Sequence, residues 1–303
     1  MRLIKPSFQI IKPTGYTIDD IYKSIELAGR VSYKSEDRIT EDSAKTFVER
    51  MMKMKHLSTC EFGTVYLYID YHNPSFGKIV DKYNNNEYSK CIIDTVFPNK
   101  AYISSNYRVL IENNWLDDLK YLCEPTEYHH KRYIVKFICD RAIANEFVRH
   151  RKFSFLQEST RYCNYSKDKF GNELTFIIPE WCPEIREDSN KGWDPCSIYD
   201  KFYLQHLQMA EDIYFNLLKQ WDEKVPDKRY KSGFRNNPWT PQQARNILPL
   251  SLKTELYMCG FAEDWEQFFK LRTAPNAHPQ ARELAIPLRE EFAQLSRSSN
   301  SIS

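Results

Sequence analysis

The segment Arg149-His150-Arg151-Lys152-Phe153-Ser154-Phe155-Leu156-Gln157-Glu158-Ser159-Thr160-Arg161-Tyr162 concentrates side chains that can do chemistry. Arg149, Arg151, Lys152 and Arg161 are fixed positive charges set against Glu158 alone, with hydroxyls and Gln157 among them. Such a set can hold phosphates, because guanidinium forks supply charge and direction while hydroxyls and amides supply geometry. A solvated basic helix end has the same composition, since cations also suit the negative end of a helix. Composition by itself leaves these two readings level. Glycine is scarce, 8 in 303 residues, and neither a G-x-G-x-x-G nor a Walker A loop can be written. A bound nucleotide would therefore be met by side chains and not by a glycine-rich turn.

The other reactive residue types form no comparable pattern. The 8 cysteines (Cys60, Cys91, Cys123, Cys139, Cys163, Cys182, Cys196 and Cys259) contain no C-x-x-C pair. A chain of this length needs no covalent staple, so they read as reduced thiols in a cytoplasm-like compartment. Pro195-Cys196 superficially suggests a nucleophile, but it lies in a Trp/Asp-rich loop with no matching motif. His129, His130, Cys123 and Cys139 match no common zinc spacing, so no metal is expected. His72 and His206 read as surface or core residues. The net charge of +2 gives no sign of a bulk polyanion such as DNA as the main partner, so anion binding must come from local clusters. No membrane span is expected, and Lys5, Pro6, Lys12 and Pro13 break up the start as a secretory signal.

The elements that must carry these residues can be placed by pattern. Thr17-Ile18-Asp19-Asp20 has the form of a helix start, followed by Ile21, Ile25 and Ala28 at helical spacing. A second helix is expected from about Ser43 to Met54. Val65, Leu67 and Ile69 alternate with Thr64, Tyr66 and Tyr68 as in a half-buried strand, and Tyr133, Val135, Phe137 and Cys139 repeat the pattern. About sixty residues between the strands, 71–130, read as an insertion on the same domain, with a helix near Trp115 to Leu122. Asp140 can cap a helix from Arg141 to Arg151. A long amphipathic helix follows, with Tyr199, Phe202, Tyr203, His206, Ala210, Ile213 and Leu217 on one face. After a basic loop, 225–239, Thr240-Pro241-Gln242-Gln243 opens a helix that carries Arg245. Further helices are expected at about Glu263 to Leu271 and Gln280 to Leu295, the latter kinked at Pro287. The chain thus reads as one domain, 1–295, and a disordered tail, 296–303.

Arg149-His150-Arg151, seven residues, Ser159 and then Arg161-Tyr162 resemble the signature of the flavin-dependent thymidylate synthases. A second block agrees: Ala244 to Pro249, Phe268 to Arg272, and Ala277-His278-Pro279-Gln280. A weaker third comprises Ala28 to Tyr33 and His56 to Phe62. The resemblance covers roughly two hundred residues. It implies an α+β fold, an antiparallel sheet flanked by long helices, in a homotetramer whose sites are built at subunit interfaces. It implies methylation of dUMP to dTMP with methylene-tetrahydrofolate, FAD and NADPH, and no cysteine nucleophile. Ser58, Glu61, Arg149, His150, Arg151, Gln267 and His278 would meet FAD. Glu146, Arg149, Gln157, Glu158, Ser159, Thr160, Arg161, Arg245 and Arg272 would line the dUMP site, with Arg272 against the uracil ring as the catalytic residue. Family members often carry Asn-x-Arg ahead of the F-x-x-L-R block, where this chain has Phe261-Ala262-Glu263. The insertion and the basic loop also depart from the family pattern. The rival expectation is a nucleotide- or nucleic-acid-binding protein that uses the Arg149–Arg161 cluster without catalysis.

Overall fold

The computed structural model describes residues 1–94, 100–182, 186–188, 192–195, 197–220, 225–226, 234–235 and 238–300, excepting the side chains of 186–188, 192–194, 225–226, 234–235 and 296–300. Cys196 and most of the basic loop lie outside the described residues. The chain divides into two compact units. The larger comprises Phe8–Phe137, Phe147–Gln157 and Glu255–Ser303, and the smaller Met1–Ser7, Ile138–Glu146 and Glu158–Thr254.

In the larger unit the helix Ile18–Arg30 starts as its sequence demands. Thr17 Oγ1 accepts from the Asp20 amide at 3.3 Å while Asp20 accepts from the Thr17 amide at 3.1 Å. These bonds satisfy backbone donors that a helix start leaves without partners. The helix buries Ile21 and Ile25 with Phe47, Val48 and Met51 of the helix Ser43–Lys53, and Ala28 in a separate cluster with Phe62 and Tyr257. The crossing is close at Gly29, where a Cβ would stand 2.7 Å from the Phe47 ring. Beneath lies a three-stranded sheet in which Thr64–Asp70 and Lys90–Ile93 flank Lys100–Asn106, all antiparallel. Val65, Leu67 and Ile69 point into the core. Tyr66, expected on the wet face, is buried because its hydroxyl accepts from the Arg132 amide at 3.0 Å.

Residues 71–130 take part in this same core. The helix Phe76–Asn84, two of the three strands and the helix Tyr107–Glu112 fall there, and Ile79, Val80, Tyr83, Ile103 and Leu110 pack with Ile25 and Phe47. The helix expected near Trp115 is a 3-10 segment, Leu116–Tyr121. The buried Asp118 carboxylate accepts from the Tyr83 hydroxyl at 2.8 Å and pairs with Lys82, while the Trp115 ring meets Tyr83 at 5.0 Å. These ties hold the segment on helix Phe76–Asn84 over one short turn.

A four-stranded sheet follows the order Ser7–Ile11, Arg132–Asp140, Lys253–Phe261, Ser154–Gln157. Its last pair is antiparallel, with Met258 opposite Phe155. Within the larger unit, Phe137, Phe147, Phe153, Trp265, Phe268 and Phe292 form one aromatic cluster with the helices Ala262–Arg272 and Pro279–Asn300. Pro287 lies inside the last helix.

The smaller unit pairs Arg2–Ile4 in parallel with Thr175–Ile177 and packs them on the helix Ile198–Leu218. The buried face of that helix is Leu204, Leu207, Ala210, Glu211 and Tyr214. Tyr199, Phe202 and Ile213 of the expected face are instead 80%, 62% and 42% exposed. Glu211 decides the rotation, since it accepts from the Met1 amine at 2.8 Å and the Leu174 amide at 3.0 Å.

Candidate functional site

The helix Arg141–Phe147 ends four residues earlier than expected from its sequence. Phe147 is fully buried against Phe137 and Phe268, and the chain then turns, the His150 amide bonding the Phe147 carbonyl and the Phe153 amide the His150 carbonyl, both at 3.1 Å. Val148 to Lys152 offer no apolar period to continue a buried helical face. The turn instead delivers Phe153 onto Gly260, where a Cβ would fall 2.5 Å from its ring. Arg149, Arg151 and Lys152 are thereby left exposed and His150 half-buried.

His150 is held by the residue at the end of another helix. Arg272 Nε donates to His150 Nε2 at 2.9 Å, and the Arg272 guanidinium lies 6.0 Å from the Phe147 ring centroid. Accepting at Nε2 requires a neutral imidazole with its proton on Nδ1. Burial, and then the Arg272 charge, push the His150 imidazole down to about 4, which favours that neutral form. Phe268, 5.1 Å away and edge-on, walls the ring.

The same unit contains a cavity of about 630 Å³ whose wall carries Arg151 and Lys152 together with Lys90, Arg108 and Arg132. Phe153 and Phe261 are its apolar surfaces. Glu61, Glu87, Glu112 and Asp264 also line it; Arg108 pairs with Glu61 at 2.5 Å and with Glu112 at 2.9 Å, which leaves cations in excess on the wall. Arg132 donates from its terminal nitrogens to the Glu61 carbonyl at 3.1 Å and to Thr64 Oγ1 at 3.3 Å, while its buried Nε has no partner among the described residues. A concave site with clustered cations and one donor left over suits a phosphate-bearing ligand. Lys90, Arg108 and Arg132 have no signal in the sequence, being isolated cations far from the motif. Of the other expected residues in this unit, Ser58 and Gln267 are exposed, and Gln157 and His278 half-buried.

The smaller unit holds the second half of the motif. Glu158 is 1% exposed; its carboxylate accepts from the Tyr165 hydroxyl at 2.8 Å and from Lys253 Nζ at 2.9 Å, and its carbonyl from Arg141 at 3.4 Å. It anchors the turn from within. Thr160 is buried beside it, while Ser159 Oγ accepts from the Arg161 amide at 3.2 Å. Arg161 is exposed, over the Tyr162 ring at 5.4 Å and 3.5 Å from Gln242 Oε1. Gln242 belongs to the short helix Pro241–Ala244, directly before exposed Arg245, so two cations present themselves from adjoining turns. Glu146 is half-buried.

The described cysteines are buried or half-buried. Burial pushes the thiols of Cys60, Cys91 and Cys123 up to about 11 and that of Cys182 to about 12, so little thiolate exists at neutral pH. His129 contacts the Leu67 carbonyl at 3.2 Å and Cys123 at 3.7 Å. Among the described residues no group of three His, Cys, Asp or Glu is placed to hold a metal ion, and no helix is long and apolar enough to cross a membrane.

A sequence profile for the family described as "Thymidylate synthase complementing protein" matches residues 95–296, more than half of the chain. The chain belongs to this family. The match to the thymidylate synthase complementing family takes in Arg149–Arg151, Ser159–Arg161, Arg245 and Arg272, and begins after Ser58, Glu61 and Lys90. The flavin-dependent thymidylate synthase of Pyrococcus furiosus is 30% identical over 156 residues, 52% of this chain and 52% of that protein. That of Corynebacterium efficiens is 26% identical over 154 residues, 51% of this chain and 54% of that protein. The chain spans about half the length of the curated relatives it matches. The UMP/dUMP methylase PolB from Streptomyces cacaoi, bound with 5-Br UMP, gives a TM-score of 0.42 at 14% identity over 97% of this chain and 92% of that one.

Proposed function

We propose that the protein is a flavin-dependent thymidylate synthase that methylates dUMP to dTMP, with methylene-tetrahydrofolate as carbon donor and NADPH as reductant, and without a cysteine nucleophile. The observation that carries this reading is the Arg272–His150 hydrogen bond, which joins the Arg149-His150-Arg151 turn to the arginine of the second motif block. FAD fits the residues present. The cavity lies within the roughly 300–1,000 Å³ of ordinary ligand sites, and its cations and aromatic walls suit a dinucleotide. Of the residues expected to hold it, Glu61 and Arg151 line this cavity, while Arg149, His150, Ser58, Gln267 and His278 do not and would meet the cofactor beyond it. Bound there, FAD supplies the hydride once reduced.

The chain's own residues then bind and orient. Arg161, Arg245, Ser159 and Thr160 meet the dUMP phosphate, with Glu146, Gln157 and Glu158 shaping that region. Arg272 faces the polar edge of the uracil and stabilises the negative charge that develops there, its plane fixed beforehand by neutral His150. The raised thiols of Cys60, Cys91, Cys123 and Cys182 agree with a route that needs no thiolate. Homotetrameric assembly and a cytoplasmic location belong to the same proposal.

Purified protein should show flavin absorbance in the visible range and form dTMP from dUMP, methylene-tetrahydrofolate and NADPH. Nucleotide binding with neither flavin nor product would instead establish a binding protein.

A further inference from the structure

We propose that Lys90, from the strand Lys90–Ile93, and Arg132 form a further anion-binding pair that holds the phosphates of the flavin dinucleotide. The inference rests on the functional reading above and assigns residues outside the signature. Lys90 lies on the cavity wall with Nζ 4.7 Å from the Phe261 ring centroid, and the Arg132 guanidinium stands 5.5 Å from the same centroid. Two cations thus share one buried aromatic ring. Their remaining hydrogen-bonding capacity differs from that of their neighbours. Arg108 is committed to Glu61 and Glu112. Among the described residues Arg132 meets no carboxylate; it spends its terminal nitrogens on the Glu61 carbonyl and Thr64, and its buried Nε has no partner there. Lys90 pairs with Glu263 Oε2 at 3.0 Å, and the other oxygen of that carboxylate is taken by His130. An ammonium has three donors, so one carboxylate contact does not exhaust it.

The placement also accounts for the departure at Phe261 and Glu263. A carboxylate beside a phosphate site repels the ligand unless it is neutralised. Here Lys90 and His130 close on Glu263, and Lys90 presents its remaining charge across Phe261. The cation at this corner of the cavity is therefore supplied by a strand distant in sequence. It lies in the stretch 71–130, which packs into the core beside the cavity.

The test is an FAD titration, followed by flavin fluorescence, of the apoprotein and of Lys90→Ala, Lys90→Arg, Lys90→Ala/Glu263→Ala and Arg151→Ala, with thermal unfolding of each. The expected result is a loss of affinity of about tenfold in Lys90→Ala, the size of a charge-assisted hydrogen bond. The loss should persist in the double variant and be largely recovered in Lys90→Arg, with unfolding temperatures close to the parent's. Full recovery in the double variant would overturn the proposal, because Lys90 would then only neutralise Glu263. Unchanged affinity in Lys90→Ala alongside a loss in Arg151→Ala would overturn it while leaving the functional reading intact. A parent protein that binds no FAD would remove both.

Discussion

Arg272 donates through Nε to an unprotonated Nε2 of His150 at 2.9 Å, so a residue of the signature orients the arginine of a block more than a hundred positions away. The acceptor cannot itself carry a charge without losing the bond. Burial beside Phe153 and Phe268, and then the Arg272 charge, keep it neutral, and the bond fixes the plane of the guanidinium.

The first prediction concerns Arg272. Arg272→Ala should retain bound flavin and lose about 10²–10³ in the rate of dTMP formation, the usual cost of one preorganised donor. Arg272→Lys should recover little, because an ammonium has no planar fork. Flavin reduction by NADPH and dTMP formation are to be followed separately. A near-normal rate of dTMP formation in Arg272→Ala would return this residue to an ordinary helix-end cation.

The second concerns pH. The folded protein binds the His150 proton less readily than the unfolded chain, whose imidazole titrates near 6.5 against about 4 in the fold. Stability should therefore rise with pH from about 4 to about 6.5 and be lost as pH falls through that window. Urea midpoints at neutral pH and near pH 5 measure the slope. His150→Gln, which keeps an acceptor but does not titrate, should flatten it; an equally steep slope in that variant would assign the effect to other groups.

Cysteine chemistry provides the third. Cys196→Ala should keep folding, flavin content and dTMP formation near the parent's level. The thiols of Cys60, Cys91, Cys123 and Cys182, raised by burial, should react slowly with a disulfide reagent at pH 8. Loss of turnover in Cys196→Ala with intact flavin would require a covalent mechanism.

Gly260 gives the fourth. A methyl group there would stand 2.5 Å from Phe153 Cδ1, and the ring is already wedged against Trp265 at 4.8 Å. Gly260→Ala should destabilise by about 1–3 kcal/mol, the usual cost of overpacking. An unchanged urea midpoint would show that the ring yields freely.

Much of this was legible because local chemistry decided it. The Thr17 capping box, the alternation from Thr64 to Ile69 and the helix leading to Arg272 follow from neighbours within a few positions. The missed features depend on distant partners. Nothing local distinguishes the two faces of helix Ile198–Leu218, both of which carry large apolar residues; the choice falls to Glu211 meeting Met1 and Leu174. The early end of helix Arg141–Phe147 depends on Phe153 finding Gly260. The two units are each assembled from three separate stretches, so no linker composition could mark them. Lys90, Arg108 and Arg132 acquire meaning only once the fold brings them to one cavity.

The ties beneath Glu158 have a thermodynamic consequence. Tyr165, Lys253 and Arg141 fix the residue immediately before Ser159, Thr160 and Arg161, so that turn is ordered when the chain folds. Immobilising a mobile side chain on association costs about 0.5–1.5 kcal/mol each. A turn already immobilised from below loses less conformational entropy when an anion arrives, and its calorimetric signature should lean toward enthalpy. Under the proposed function, the buried carboxylate would act on a nucleotide that it need not touch.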